Sequence, residues 1–177
     1  MTPIKKYTLH ILAIRGIRED TFDIALENNA VIVCTERYNE NLAVLPVDHV
    51  LQIPFPDYED YHLQGAFNRI DARIIKNFIH SLPDTVTDMY ICCSKGGSRS
   101  PAVAAALLRA SGRSDMDVWK NPFYVPNTLV YFRLCKELGV KTTTLSVFFR
   151  VLINKHAYRK VQKNKGFTPY ERWQILD

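Results

Sequence analysis

The stretch from Asp88 to Gly112, DMYICCSKGGSRSPAVAAALLRASG, narrows the choice of fold more than any other part of the chain. DMYICC has the apolar, strand-forming character of a buried β-strand. Ser100 to Ser111 reads as a helix, with Pro101 in its first turn and Gly112 at its C-terminal cap. Only a short polar loop joins the two. A helix tied so closely to a strand folds back over the sheet that holds the strand.

The rest of the chain repeats that alternation. YTLHILAI (7–14), AVIVCTE (30–36) and DHVLQIPF (48–55) read as strands. EDTFDIALENNA (19–30), residues 62–82, PNTLVYFRLCKELG (126–139) and residues 142–161 read as helices. In 62–82 the expected stripe is Leu63, Phe67, Ile70, Ile74, Phe78 and Leu82. Asn127 is the expected N-cap of the 126–139 helix, and Gly139 lies past its end. The expected fold is α/β: a single domain over 1–177, with a mostly parallel central sheet flanked by helices. Its core spans about 7–139, and 142–177 is a helical, basic extension.

With 177 residues the chain can bury a proper core. It has no run of ~18 apolar residues, so no membrane span is expected. Its N-terminal apolar stretch is too short for a signal peptide. Cys34, Cys92, Cys93 and Cys135 in such a chain imply reduced thiols and a cytoplasmic protein. No zinc-type ligand spacing is present, so neither metal nor cofactor is expected. The net charge of +5 is local: KHAYRKVQKNK (155–165) holds five Lys/Arg and no acid. It is either a solvated helix face or a contact for an anionic partner, a lipid surface before nucleic acid.

The loop itself can bind an anion. Gly96 and Gly97 allow positive φ and close backbone approach. The N-terminus of the following helix adds unpaired N–H groups and a positive dipole end. Together with Ser94, Lys95 and Ser98, these form a concavity suited to phosphate. Arg99 can hold two of its oxygens with a planar fork. The same field favours a thiolate on a cysteine facing the loop. Ser100 can donate a hydrogen bond to that sulfur. Strand alternation turns Cys92 and Cys93 to opposite faces.

Cys93, five intervening residues, then Arg99 and Ser100, with glycine three residues after the thiol, resembles the signature of the cysteine-dependent protein tyrosine phosphatases. The dual-specificity branch is the nearest in pattern. LQIPFPDYED (51–60) is similar to that branch's upstream acid loop, and VPNTLVYFRL (125–134) to its downstream Pro-Asn helix start. The resemblance covers roughly 30–139. It implies that Cys93 is the nucleophile, Asp57 the general acid and Asn127 a brace for the phosphate loop. It further implies a phosphocysteine intermediate and a phosphorylated protein as substrate. Asp60 and Glu59 stand as rivals to Asp57. The family's His before the nucleophile is replaced by Cys92, which weakens one support of the loop. A non-catalytic phosphate-binding module, sulfur or arsenate chemistry, and phosphoinositide or RNA 5′-phosphate hydrolysis are the alternative functions. Cys34, at the end of its own strand, is a candidate redox partner for Cys93.

Overall fold

The computed structural model describes residues 4–14, 28–38, 47, 49–163 and 174–176. Four strands lie parallel: β1 (Thr8–Ala13), β2 (Asn29–Thr35), β3 (His49–Pro54) and β4 (Asp88–Cys93). A short strand, β5 (Gln174–Leu176), pairs antiparallel with β1. The sheet order is β3-β2-β4-β1-β5, which puts β4 at its centre. The expected single α/β domain with a mostly parallel sheet is what forms. The antiparallel edge strand has too few residues to declare itself by periodicity.

Alternation divides each central strand between two faces. Ala30, Ile32 and Cys34 of β2 and Met89, Ile91 and Cys93 of β4 enter the main core. Val31, Val33 and Cys92 join Leu12 and Val47 in a smaller cluster. Cys92 and Cys93 therefore face opposite sides, as alternation requires.

Among the described residues there are five helices: α1 (Arg69–Ser81) between β3 and β4, then α2 (Arg99–Ala110), α3 (Met116–Lys120), α4 (Thr128–Glu137) and α5 (Thr144–Lys163) after β4. The helix expected over 19–30 falls mostly on residues outside those described. Helix α1 starts later than its apolar spacing suggests. Asn68 accepts from the backbone N–H groups of Ile70 and Asp71, and Asp71 accepts from the Asn68 N–H, so a capping box opens the helix there. The expected stripe holds in part: Phe67 is buried and Phe78 and Leu82 pack against the core, but Ile70 and Ile74 are exposed, and Ala72, Ile75 and Ile79 supply the buried face of α1.

Every residue of α2 from Arg99 to Leu108 is buried. Its alanines remove bulk where the helix lies against the sheet and α4. α3 was not expected from sequence, being barely more than one turn. Asp115, just before it, ties α5 to the core. Its carboxylate accepts from Trp119 Nε1 at 3.0 Å, Tyr131 OH at 2.6 Å and Arg150 Nε at 2.7 Å. Asn154 of α5 donates to the carbonyls of Trp119 and Tyr124.

Candidate active site

The carboxyl ends of β2, β3 and β4 lie at one edge of the sheet, where ligands of parallel α/β folds gather. Cys93 ends β4, and its direct register partners are Cys34 on β2 and Ala13 on β1. The chain then turns tightly, with the Gly96 N–H donating to the Cys93 carbonyl at 3.3 Å.

Only one of the two loop glycines needs to be glycine. Gly96 has φ +66°, and a Cβ there would lie 2.7 Å from the Ala13 nitrogen and 2.8 Å from the Leu12 carbonyl carbon. Both are backbone atoms of β1 and cannot swing aside. Gly97 lies outside the left-handed region, and a Cβ on it would meet only the Phe123 carbonyl at an ordinary 3.7 Å. The expectation that both glycines supply positive φ is thus corrected for Gly97.

The segment before α4 holds the loop from outside. Val125 N–H donates to the Gly97 carbonyl at 2.8 Å and Asn127 N–H to the Ser98 carbonyl at 3.2 Å. A trans peptide sets each following N–H opposite its carbonyl. The N–H groups of Ser98 and Arg99 therefore point away from this segment, as an anion cradle requires.

Cys93 Sγ lies 3.2 Å from Ser100 Oγ, in the first turn of α2. Arg99 is buried, with Nη1 donating to the Phe55 carbonyl at 2.8 Å and Nη2 to Ser94 Oγ at 2.9 Å. Its Nε is buried and has no hydrogen-bond partner. A guanidinium clamped at both terminal nitrogens, with a donor unspent, suits an oxyanion. Lys95 is exposed at the loop's tip.

Asp57, Asp60 and Glu59 share one loop but have different surroundings. Asp57 Oδ1 accepts from Ser98 Oγ at 2.9 Å and from Asn127 Nδ2 at 2.8 Å. Asp60 accepts from the His62 N–H within its own turn. Glu59 accepts from the Thr128 N–H and hydroxyl at the start of α4. Of the three, Asp57 is the one bonded to the Cys93–Arg99 loop.

Asn127 does more than cap. Its Oδ1 accepts from the Val130 N–H at 3.0 Å, and its Nδ2 also donates to the Tyr58 carbonyl at 3.1 Å. It thus joins α4, the Cys93–Arg99 loop and the Asp57 loop. Ser94, Lys95, Gly96, Gly97, Ser98, Arg99, Ser100, Asp57, Asn127 and Cys34 all fall in this edge region. Cys92 is buried in the smaller cluster, and burial pushes its thiol well above the ordinary cysteine value. Burial, with the neighbouring Cys93, likewise pushes the Cys34 thiol far up.

Sequence reasoning missed several supports. The Phe55 carbonyl holds Arg99, Glu59 caps α4, and buried Tyr124 precedes the lacing segment. Backbone carbonyls leave no mark in sequence. The Glu59–Thr128 contact joins residues far apart, and no local spacing signals it. No protein-family model matches the chain, and no curated protein matches it.

Proposed function

We propose that this chain is a phosphomonoester hydrolase that works through a phosphocysteine, acting as a dual-specificity-type protein phosphatase. The observation that carries this reading is the Ser98–Asp57 hydrogen bond of 2.9 Å, which ties a carboxyl to the loop that begins at Cys93. Cys93, Arg99 and Asp57, the proposed nucleophile, oxyanion holder and acid, lie at the same sheet edge.

In the first step the Cys93 thiolate attacks phosphorus, and the P–O bond to the leaving group breaks. Asp57 gives its proton to the departing oxygen. Its Oδ1 is held by Ser98 and Asn127, so Oδ2 is the oxygen left to carry that proton. Arg99 and the loop N–H groups hold the equatorial phosphoryl oxygens as charge shifts. In the second step a water attacks phosphorus, Asp57 takes its proton, and the P–S bond breaks. Ser100 Oγ, next to the sulfur, stabilises the departing thiolate. The products are the dephosphorylated alcohol or phenol and inorganic phosphate.

Cytoplasmic location and a phosphorylated protein substrate belong to this reading. Among the described residues no helix is long and apolar enough to cross a membrane. The test is a hydrolysis screen over phosphotyrosine and phosphoserine/threonine peptides, phosphoinositides and RNA 5′-phosphates. Turnover of phosphopeptides that Cys93→Ser abolishes supports the proposal. Phosphate binding without turnover of any class would assign the chain as a non-catalytic module.

A further inference from the structure

Helix α5 is anchored on one side and open on the other. Its seat is made by Val147, Arg150 and Asn154, which pack on or hydrogen-bond to the core. On the other side Phe148 and Phe149 are each 55% exposed and Leu145 is 63% exposed, with Leu152 exposed as well. Lys155, Arg159 and Lys160 are exposed further along. These positions recur every three or four residues, so they form one strip down the helix. At 1.5 Å per residue the strip is roughly 22 Å long. Helix α5 contains no Asp or Glu.

Aromatic and aliphatic side chains this exposed, and this close together, mark an interaction surface rather than scattered surface apolars. The charge selects the occupant. A purely apolar partner would cover the phenylalanines and leave the cations without counter-charge. An anionic bilayer meets both halves: rings and leucines enter the boundary of headgroups and acyl chains, and Lys and Arg meet lipid phosphates. Nucleic acid would meet the cations, but it offers nothing apolar to Leu145 and Leu152.

We propose that the exposed strip of α5 from Leu145 to Lys160 is a docking surface for an anionic lipid bilayer. The proposal does not depend on the chemistry assigned to Cys93. Its position nevertheless bears on that site. Phe148 and Lys155 line a groove of about 470 Å³ together with Glu59 and Tyr61. The docking surface therefore borders the loop that carries Asp57.

The experiment is co-sedimentation of the full chain with phosphatidylcholine vesicles, with and without phosphatidylserine. The expected result is sedimentation with the phosphatidylserine vesicles alone, reversed by high salt. Arg159→Gln with Lys160→Gln should weaken partitioning on the order of 25-fold, at about one factor of five per charge. Phe148→Ser with Phe149→Ser should also release the protein, while its thermal unfolding transition stays cooperative. No sedimentation, or equal sedimentation of wild type and both variants, overturns the proposal. Two further outcomes overturn it in favour of another occupant. One is single-stranded RNA binding that the Gln variant loses while vesicles are ignored. The other is a dimer in light scattering that the Ser variant dissolves, again without vesicle binding.

Discussion

Asn127 Nδ2 donates to Asp57 Oδ1 at 2.8 Å across a separation of 70 residues. The same asparagine uses its backbone N–H on the Ser98 carbonyl and its Oδ1 on the Val130 N–H. One buried side chain thus sets the distance between the proposed acid and the loop of the proposed nucleophile.

Removing that amide should misplace the acid more than it weakens binding. Asn127→Ala is expected to lower kcat by about 10- to 100-fold on alkyl phosphates, which need a protonated leaving group. On an activated aryl phosphate the loss should be several-fold smaller. Stability should fall by about 1 kcal/mol from the lost helix cap. Equal losses on both substrates would give Asn127 a structural role only. Asp60→Asn serves as the control and should leave the leaving-group dependence unchanged.

Gly96→Ala and Gly97→Ala should behave differently. The first places a Cβ against the β1 backbone at 2.7 Å and in a positive-φ conformation. It is expected to cost about 1–3 kcal/mol and to abolish turnover by distorting the loop. The second meets nothing closer than 3.7 Å and should fold normally. Urea melts and rates for the two variants check this. Equal stability of both variants would contradict the loop geometry described above.

Those two glycines also show what could be read from the chain alone. GlyGly between a strand and a helix marks a tight turn, but which glycine needs positive φ depends on β1, some eighty residues earlier. The strand ends and α2 were legible because apolar runs stop at polar loops, Pro101 and Gly112. Asn127 was legible as a cap because its role is local. The buried face of α1 was legible only in part: Phe67, Phe78 and Leu82 meet the core, but Ile70 and Ile74 face solvent because Ala72, Ile75 and Ile79 form a second apolar line on the same helix, and tertiary packing chooses between the two. The fit of Asp57 against Ser98 was open among three acids, since all three lie in one loop and tertiary contacts alone separate them.

Cys34 and Cys93 are direct register partners on adjacent strands, on the same face of the sheet. Neighbouring strands lie ~4.8 Å apart, within the Cα separation that a disulfide spans. Peroxide should oxidise Cys93 to a sulfenic acid. Attack by Cys34 would then form the S–S bond and release water. Burial pushes the Cys34 thiol far up, so its thiolate is scarce and capture should quicken as pH rises. Non-reducing peptide mapping after mild peroxide should yield a reducible Cys34–Cys93 pair. Equal rates of sulfinic acid formation in wild type and Cys34→Ser would remove this protective role.

The Asp115–Arg150 pair carries a pH signature. Burial alone would raise the Asp115 carboxyl, but hydrogen bonds from Arg150, Tyr131 and Trp119 outweigh it and hold the group below the usual carboxylate range. A depressed value means this stabilisation is full above the unfolded value of ~3.9 and is lost as pH falls through the lower folded value. Arg150→Met should cost about 3 kcal/mol at neutral pH by leaving the carboxylate unpaired. Its deficit relative to wild type should shrink below about pH 4. Urea midpoints at neutral and acid pH test this, and a deficit independent of pH would assign it to packing.

The most direct test of the proposed chemistry is to trap the intermediate. Asp57→Asn removes the group that activates water, so an activated aryl phosphate should phosphorylate the enzyme faster than water clears it. Rapid quenching and peptide mass spectrometry should then place one phosphoryl group on Cys93 and none on Cys92. Release of the phenol without any phosphorylated cysteine, or a phosphoryl group on Cys92, would contradict the account.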